Sequence, residues 1–287
     1  MTNPSIIVEA VSYQYGALQA VNNISFTVGA GEILGFLGPN GAGKSTTVKL
    51  LTGQLRPQTG QITLLGMNVA QQAKQIQAQI GVGFETPNLY EAMSGSANLK
   101  LFADLFGVRG FDPLPLLQRV GLDGRGNDKV EGYSKGMKQR LMIARALVNQ
   151  PNILFLDEPT EGLDPTSAQA IRNLIRAEQE RGTTVFLTTH DMHEADLLCD
   201  RVAFLDQGRI VALDTPHALK QQYGQRMVRA EVRNPDGSLQ TREIVLDRTN
   251  TPDDLAALFR EQQVVTLHSA EATLEDIFMR ITGRGLA

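Results

Sequence analysis

Tryptophan is absent from the 287 residues, aromatics make up only 6%, and Cys199 is the one cysteine. A single cysteine excludes an internal disulfide and fits a reducing compartment. Its surroundings suggest a small helix-packing residue rather than a reactive thiol. No stretch approaches the roughly 18 uninterrupted apolar residues that a membrane span needs, and no basic segment followed by an apolar core suggests a secretory leader. Positive charge is not in excess either. The formal net charge is −4, which gives no electrostatic reason to expect a nucleic-acid partner. The expectation is a soluble chain, so any membrane process it serves needs another subunit to cross the bilayer.

What is present is a core-forming composition, 42% hydrophobic, sized for one large domain or a core with an appendage. The most informative stretch is Gly38 to Thr46, GPNGAGKST. It fits G-x-x-x-x-G-K-[ST] with Gly38, Gly43, Lys44 and Ser45 at the fixed places. The apolar run Ile33–Leu37 before it reads as a buried strand, and Thr47–Leu51 after it as the start of a helix. In that context the glycine-rich backbone around Asn40 and Gly41 can turn its amides onto a polyphosphate, helped by the helix N-terminus. Lys44 would reach the β- and γ-phosphates, and the Ser45 hydroxyl would hold magnesium.

Residues 6–28 alternate as strands around Tyr13-Gln14-Tyr15-Gly16, read as a turn carrying two aromatics. An aromatic ahead of the phosphate-loop strand can stack on an adenine ring, and Tyr15 is the candidate. Short strands follow near Gln61–Leu65 and Ile80–Phe84, separated by a Gln-rich helical segment. Residues 89–122 then carry helical spacing broken by Gly107, Gly110 and Pro113, which suggests a helical insertion. Ser134 is placed to cap a helix beginning in YSKGMKQR. Ile153–Leu156 reads as a buried strand ending in Asp157-Glu158, two carboxylates at the strand edge where open parallel sheets hold their sites. A helix over about 166–179 and a strand over Thr184–Thr188 lead to Thr189-His190. Alternating strands and helices argue a parallel sheet. Gln207-Gly208 joins two further strands as a hairpin. Beyond Thr215-Pro216 the pattern changes to helix, two strands around Pro235-Asp236-Gly237, helix, strand, helix, which reads as a small α+β appendage.

Taken in order, these segments resemble the nucleotide-binding subunit of ATP-binding-cassette (ABC) transporters over roughly residues 5–216. GPNGAGKST is similar to its Walker A loop, Ile153–Glu158 to Walker B, and Tyr133–Gln139 to its signature. Glu161-Gly162-Leu163-Asp164 resembles its D-loop, His190 its switch histidine and Tyr15 its adenine-stacking aromatic. The resemblance implies an α/β fold. A P-loop NTPase core would carry an antiparallel β subdomain and a helical subdomain (about 86–150) in a 1–216 ATPase domain, followed by an α+β module over 217–287. It implies ATP and Mg²⁺ as ligands. Gly38, Asn40, Gly41, Gly43, Lys44, Ser45, Thr46 and Tyr15 would contact the nucleotide. Ser45, Asp157 and Glu85 would serve the metal, with Glu158 as general base and His190 and Lys44 beside the γ-phosphate. In the family two subunits pair head to tail, so Ser134, Lys135, Gly136 and Asp164 would complete the site of a partner, in a homo- or heterodimer. An integral membrane permease is the other implied partner, which sets the chain on the cytoplasmic side of the membrane as a peripheral ATPase.

Two departures stand out. Where the family signature begins Leu-Ser-Gly-Gly-Gln, this chain has Tyr133, Lys135 and Met137 at the first, third and fifth places, a variant resembling that of exporter-type subunits. The family's Q-loop glutamine falls at Glu85, a carboxylate that can bind magnesium but adds charge. The tail segment Thr273–Phe278 resembles the closing helix of ATPase subunits that export drugs, sodium or polysaccharides, which points to export. The alternative is a non-transport ABC-type ATPase acting on a soluble partner. A small-molecule kinase or GTPase would lack a use for the signature, and the guanine-specific Asn/Thr-Lys-x-Asp is absent.

Overall fold

The computed structural model describes residues 4–86, 88–225, 227–234, 236–246, 251–261 and 263–283. Two compact units divide between Leu213 and Asp214.

The first unit opens with β1 (Ile6–Tyr15) and β2 (Leu18–Val28), an antiparallel pair. Tyr13 and Tyr15 therefore belong to a strand and not to the expected turn; the reversal is at Gly16-Ala17, where Gly16 has φ 55°. The strand β3 (Ile33–Leu37) is buried at every residue and runs into the phosphate loop and α1 (Lys44–Leu51). Next come β4 (Thr59–Leu64), β5 (Met67–Asn68), α2 (Ala73–Gln77) and β6 (Ile80–Gly83). The helices α3 (Gly95–Leu105), α4 (Leu114–Arg119) and α5 (Lys135–Ala146) fill the stretch before β7 (Ile153–Asp157). After α6 (Pro165–Glu180), β8 (Thr184–Thr189) and α7 (Met192–Leu198), the unit closes with β9 (Arg201–Asp206) and β10 (Arg209–Asp214).

Two sheets carry these strands. One has the order β2-β1-β4-β5 and the other β10-β9-β3-β8-β7-β6. In the second, β3, β6, β7, β8 and β9 pair in parallel. Each such strand is buried on both faces, which is why it reads as a continuous apolar run and not as an alternation. The sheets meet through aromatics. Phe26 of β2 lies 5.3 Å from Phe36 of β3, which is 5.2 Å from Phe186 of β8, with Phe155 of β7 at 5.8 Å from Phe186. Cys199 is buried against β3, where burial pushes its thiol well above the usual range, so it packs as an inert small residue.

The second unit begins with α8 (Pro216–Tyr223), capped by Thr215. A three-stranded sheet of β11 (Met227–Arg233), β12 (Leu239–Val245) and β13 (Gln263–Ala270) follows in the order β12-β11-β13, with α9 (Thr251–Glu261) between β12 and β13. Ala230, Val232 and Leu258 form its core. The closing helix α10 (Leu274–Thr282) starts on a capping box between Thr273 and Asp276, and its Arg280 donates to the Tyr223 carbonyl. Pro235, in the expected turn, lies outside the described residues.

Helix α5 presses on β6 so closely that a Cβ on Gly81 would sit 2.1 Å from the Ala146 carbonyl oxygen. That atom is backbone and cannot swing aside. G81A is therefore expected to destabilise the protein by about 1–3 kcal/mol through overpacking. Urea unfolding measures this, and an unchanged midpoint would contradict the packing.

Candidate nucleotide site

The parallel register aligns three strand ends on one edge of the sheet. Leu37 pairs with Thr189, and Asp157 with Thr188. The phosphate loop, the Asp157-Glu158 pair and His190 therefore leave the sheet side by side. The loop is braced from two directions: Gly208 N–H donates to the Ala42 carbonyl at 2.9 Å, and a Cβ on Gly43 would meet the Ala20 carbonyl at 2.3 Å. Gly43 has φ 109°, which an L side chain would strain, so glycine is required there on both counts. No side chain caps α1, leaving its first-turn amides and their positive dipole end for an anion.

The cleft is lined by Tyr15, Asn40, Gly41, Gly43, Lys44, Ser45, Thr46, Glu85, Glu158 and Glu161, together with Leu18, Gln19, Ala20 and Pro39. Tyr15, at the end of β1, is 43% exposed and forms a T-shaped pair with Tyr13, ring centroids 4.9 Å apart. Lys44 is buried; its ammonium donates to the Gly38 carbonyl at 2.6 Å and lies 3.3 Å from Glu158 Oε1. The other carboxylate oxygen of Glu158 accepts from the His190 backbone N–H at 3.2 Å and sits 3.1 Å from His190 Nδ1. Glu158 thus bridges Lys44 and His190. Its φ of 47° is a left-handed conformation that a non-glycine residue adopts only when held. The hold is visible in the Glu158 N–H, which donates to the Thr188 carbonyl at 3.1 Å. Thr188 also donates its hydroxyl to Asp157 Oδ1.

Glu85 lies on the segment after β6. Partial burial raises its carboxyl above the usual range, and the charges of Glu161, Asp157 and Glu158 push the same way against Lys44. The segment is anchored farther on, where buried Arg145 donates to the Asn88 carbonyl at 2.7 Å and stacks 4.6 Å over Phe102. Burial lowers that guanidinium to about 10. The sequence places Glu161 only as the first residue of the D-loop-like segment and gives it no part in the nucleotide cleft, yet it lines the cleft and places a carboxylate oxygen within 4.8 Å of ligand atoms of Glu158 and His190. A signal existed: Asp157, Glu158 and Glu161 fall within five residues.

The signature residues are elsewhere. Ser134 caps α5 by accepting from the Met137 N–H at 3.2 Å, Gly136 is buried in its first turn, and the Lys135 ammonium lies against Gly162. Asp164 caps α6, accepting from Ser167, whose hydrogen bonds hold the carboxyl below its usual range. None of these four lines the cleft of the same chain.

Residues 21–161 match the family described as ABC transporter. The chain is 48% identical over 283 residues to the fluoroquinolones export ATP-binding protein of Mycobacterium tuberculosis, covering 98% of this chain and 94% of that protein. It is 38% identical over 296 residues to the Nod factor export ATP-binding protein I of Rhizobium johnstonii, covering 98% and 95%. A dimeric bacterial ABC transporter cassette superposes with a TM-score of 0.66 at 28% identity, covering 73% of this chain and 98% of that one. A phosphate loop at the head of a buried parallel strand, set against these relatives along nearly the whole chain, has one reading: the protein belongs to the ABC transporter family, as an ATP-binding subunit.

Proposed function

We propose that the chain binds and hydrolyses ATP in this cleft to drive export through a separate membrane-spanning permease. The observation that carries the reading is the Glu158 carboxylate held between Lys44 and His190. Adenine stacks on Tyr15, and the phosphates take the amides of residues 38–46. Lys44 exchanges Glu158 for the β- and γ-phosphates, which frees the carboxylate to accept a proton from the attacking water. His190 keeps that carboxylate oriented through its backbone and ring nitrogens, and its ring faces the γ-phosphate.

The oxygen donors of Ser45, Asp157 and Glu85 suit Mg²⁺, a hard cation that prefers carboxylates and hydroxyls; besides burial, the charges of Glu161, Asp157 and Glu158 raise the Glu85 carboxyl, and a cation would relieve that repulsion. Magnesium bound there would supply neutralising charge to the β- and γ-phosphate oxygens.

Ser134, Lys135, Gly136 and Asp164 act on the cleft of a second ATPase subunit. Their absence from this chain's own cleft and the dimeric cassette among its structural relatives support that reading. The relatives are named for export, which needs a bilayer-crossing partner; among the described residues no helix is long and apolar enough to cross a membrane. A groove beside Glu85, lined by Phe84, Phe102, Phe106 and Arg145, is the candidate face for the permease. The chain then works on the cytoplasmic surface of the membrane. The unit beginning at Asp214 acts as an accessory module outside the nucleotide chemistry.

E158Q is expected to lower ATP turnover by about 10³-fold, within the range for loss of a positioned base, while ATP affinity stays within a few-fold. Light scattering should find more ATP-dependent dimer than in the wild type; rapid turnover would remove Glu158 from its role. E85Q is expected to keep measurable hydrolysis and to need less free magnesium for half-maximal rate, because one carboxylate fewer repels the nucleotide. Superimposable magnesium curves would leave Glu85 without a part in the metal site. A chain ending at Leu213 should still bind ATP at equilibrium if it remains folded, since every cleft residue precedes that point.

A further inference from the structure

The mechanism above leaves two buried carboxylates unused, Glu178 and Glu194, and the second lies four residues from His190. Glu194, on α7 just after His190, is 3% exposed. One of its oxygens accepts the Thr160 hydroxyl; the other lies 3.7 Å from Arg172 Nη1 and, with Arg172 Nε, lacks a hydrogen-bond partner. These contacts come from three different elements. Thr160 belongs to the loop between Glu158 and Asp164, folded on itself by Glu161 N–H to the Glu158 carbonyl and Leu163 N–H to the Thr160 carbonyl. Arg172 belongs to α6, which Asp164 caps, and Arg176 one turn later donates to the Leu197 carbonyl at the end of α7. The start of α7 is equally tied. Asp191 accepts the Glu194 N–H at 3.0 Å, and its own N–H donates to the Thr189 hydroxyl at 3.0 Å.

We propose that Glu194 is a positioning residue that locks the Glu158–Asp164 loop to the switch-histidine helix, and so sets His190 against Glu158. The inference rests on the proposed roles of Glu158 and His190. Lys135 of the signature lies against Gly162 in the same loop, so a displacement at the signature reaches His190 through Thr160 and Glu194. A buried carboxylate is expensive unless its geometry is used. Burial holds Glu194 above the usual carboxylate range, Asp191 and Glu158 add to that, and the Thr160 hydroxyl and Arg172 oppose it. Small errors in the placement of reacting groups cost large factors in rate.

The test compares E194Q, T160V, their double variant and T160S by steady-state ATP hydrolysis, nucleotide affinity and thermal melting. E194Q and T160V are each expected to lower kcat about tenfold, with KM for ATP within about twofold. The double variant should lose little more than either single one, because both act on one contact: T160V removes its donor, and E194Q replaces the charged acceptor by a carboxamide oxygen that accepts less strongly; T160S, which keeps the hydroxyl, should retain wild-type turnover. A kcat within twofold of wild type in folded E194Q or T160V, or a KM that rises in step with the loss, overturns the proposal. T160V is close to isosteric and carries the test alone should E194Q melt below the assay temperature. E158Q measured alongside separates the two ideas: if it turns over rapidly, the reading of the site fails, whereas loss in E158Q with unaffected T160V and E194Q sinks only the coupling.

Discussion

The in-register parallel pairing of β3, β8 and β7 is the constraint on which the site depends. It sets Leu37 beside Thr189 and Thr188 beside Asp157, so the phosphate loop, the carboxylate pair and the histidine emerge on one edge. A slip of one residue would turn each side chain to the opposite face. Apolar packing on both faces secures the register, above all the contacts among Phe26, Phe36, Phe155 and Phe186. The same rigidity lets Glu158 keep a left-handed backbone at φ 47°. A freer strand end would relax that conformation and swing the carboxylate off Lys44.

Charge is the second organising term. Glu85, Asp157, Glu158 and Glu161 interact around Lys44; burial first, and then the three neighbouring carboxylates, raise the Glu85 carboxyl above its usual range. A polyphosphate brings more negative charge into the same space. In the proposed reading Lys44 and Mg²⁺ would together offset that added negative charge. Glu158 sits where this competition matters most, with one oxygen toward the Lys44 ammonium and the other toward His190.

The two halves of the proposed chemistry sit on different elements of the chain. The phosphate loop belongs to β3 and α1, whereas Ser134 and Gly136 belong to the N-terminus of α5. A helix N-terminus offers amides to an anion only outward along its axis, so the signature serves another subunit's nucleotide in the reading above. Within the chain, Lys135 over Gly162 keeps that helix in touch with the loop that leads back to Glu158.

Much of this was legible in the linear order of residues. The phosphate loop is a local motif whose glycines and flanking strand and helix obey short-range stereochemistry. The buried strands announce themselves as apolar runs, and Ser134 is a capping residue recognisable before its helix. The two tyrosines were misread as a turn because β1 is long and partly polar, and only its pairing with β2 extends it to Tyr15. The place of Glu161 in the cleft and the whole role of Glu194 stayed hidden for a different reason. Each of the two is one acidic residue among 31 in the sequence, and what sets it apart is a neighbour brought from another element, His190 for one and Thr160 with Arg172 for the other. The amino-acid sequence by itself determined which segments fold into the strands, the phosphate loop and the helix caps, since those follow from contacts a few residues apart. Only the tertiary structure decided which side chains share a cleft, because that depends on strand register and helix packing across more than a hundred residues of chain.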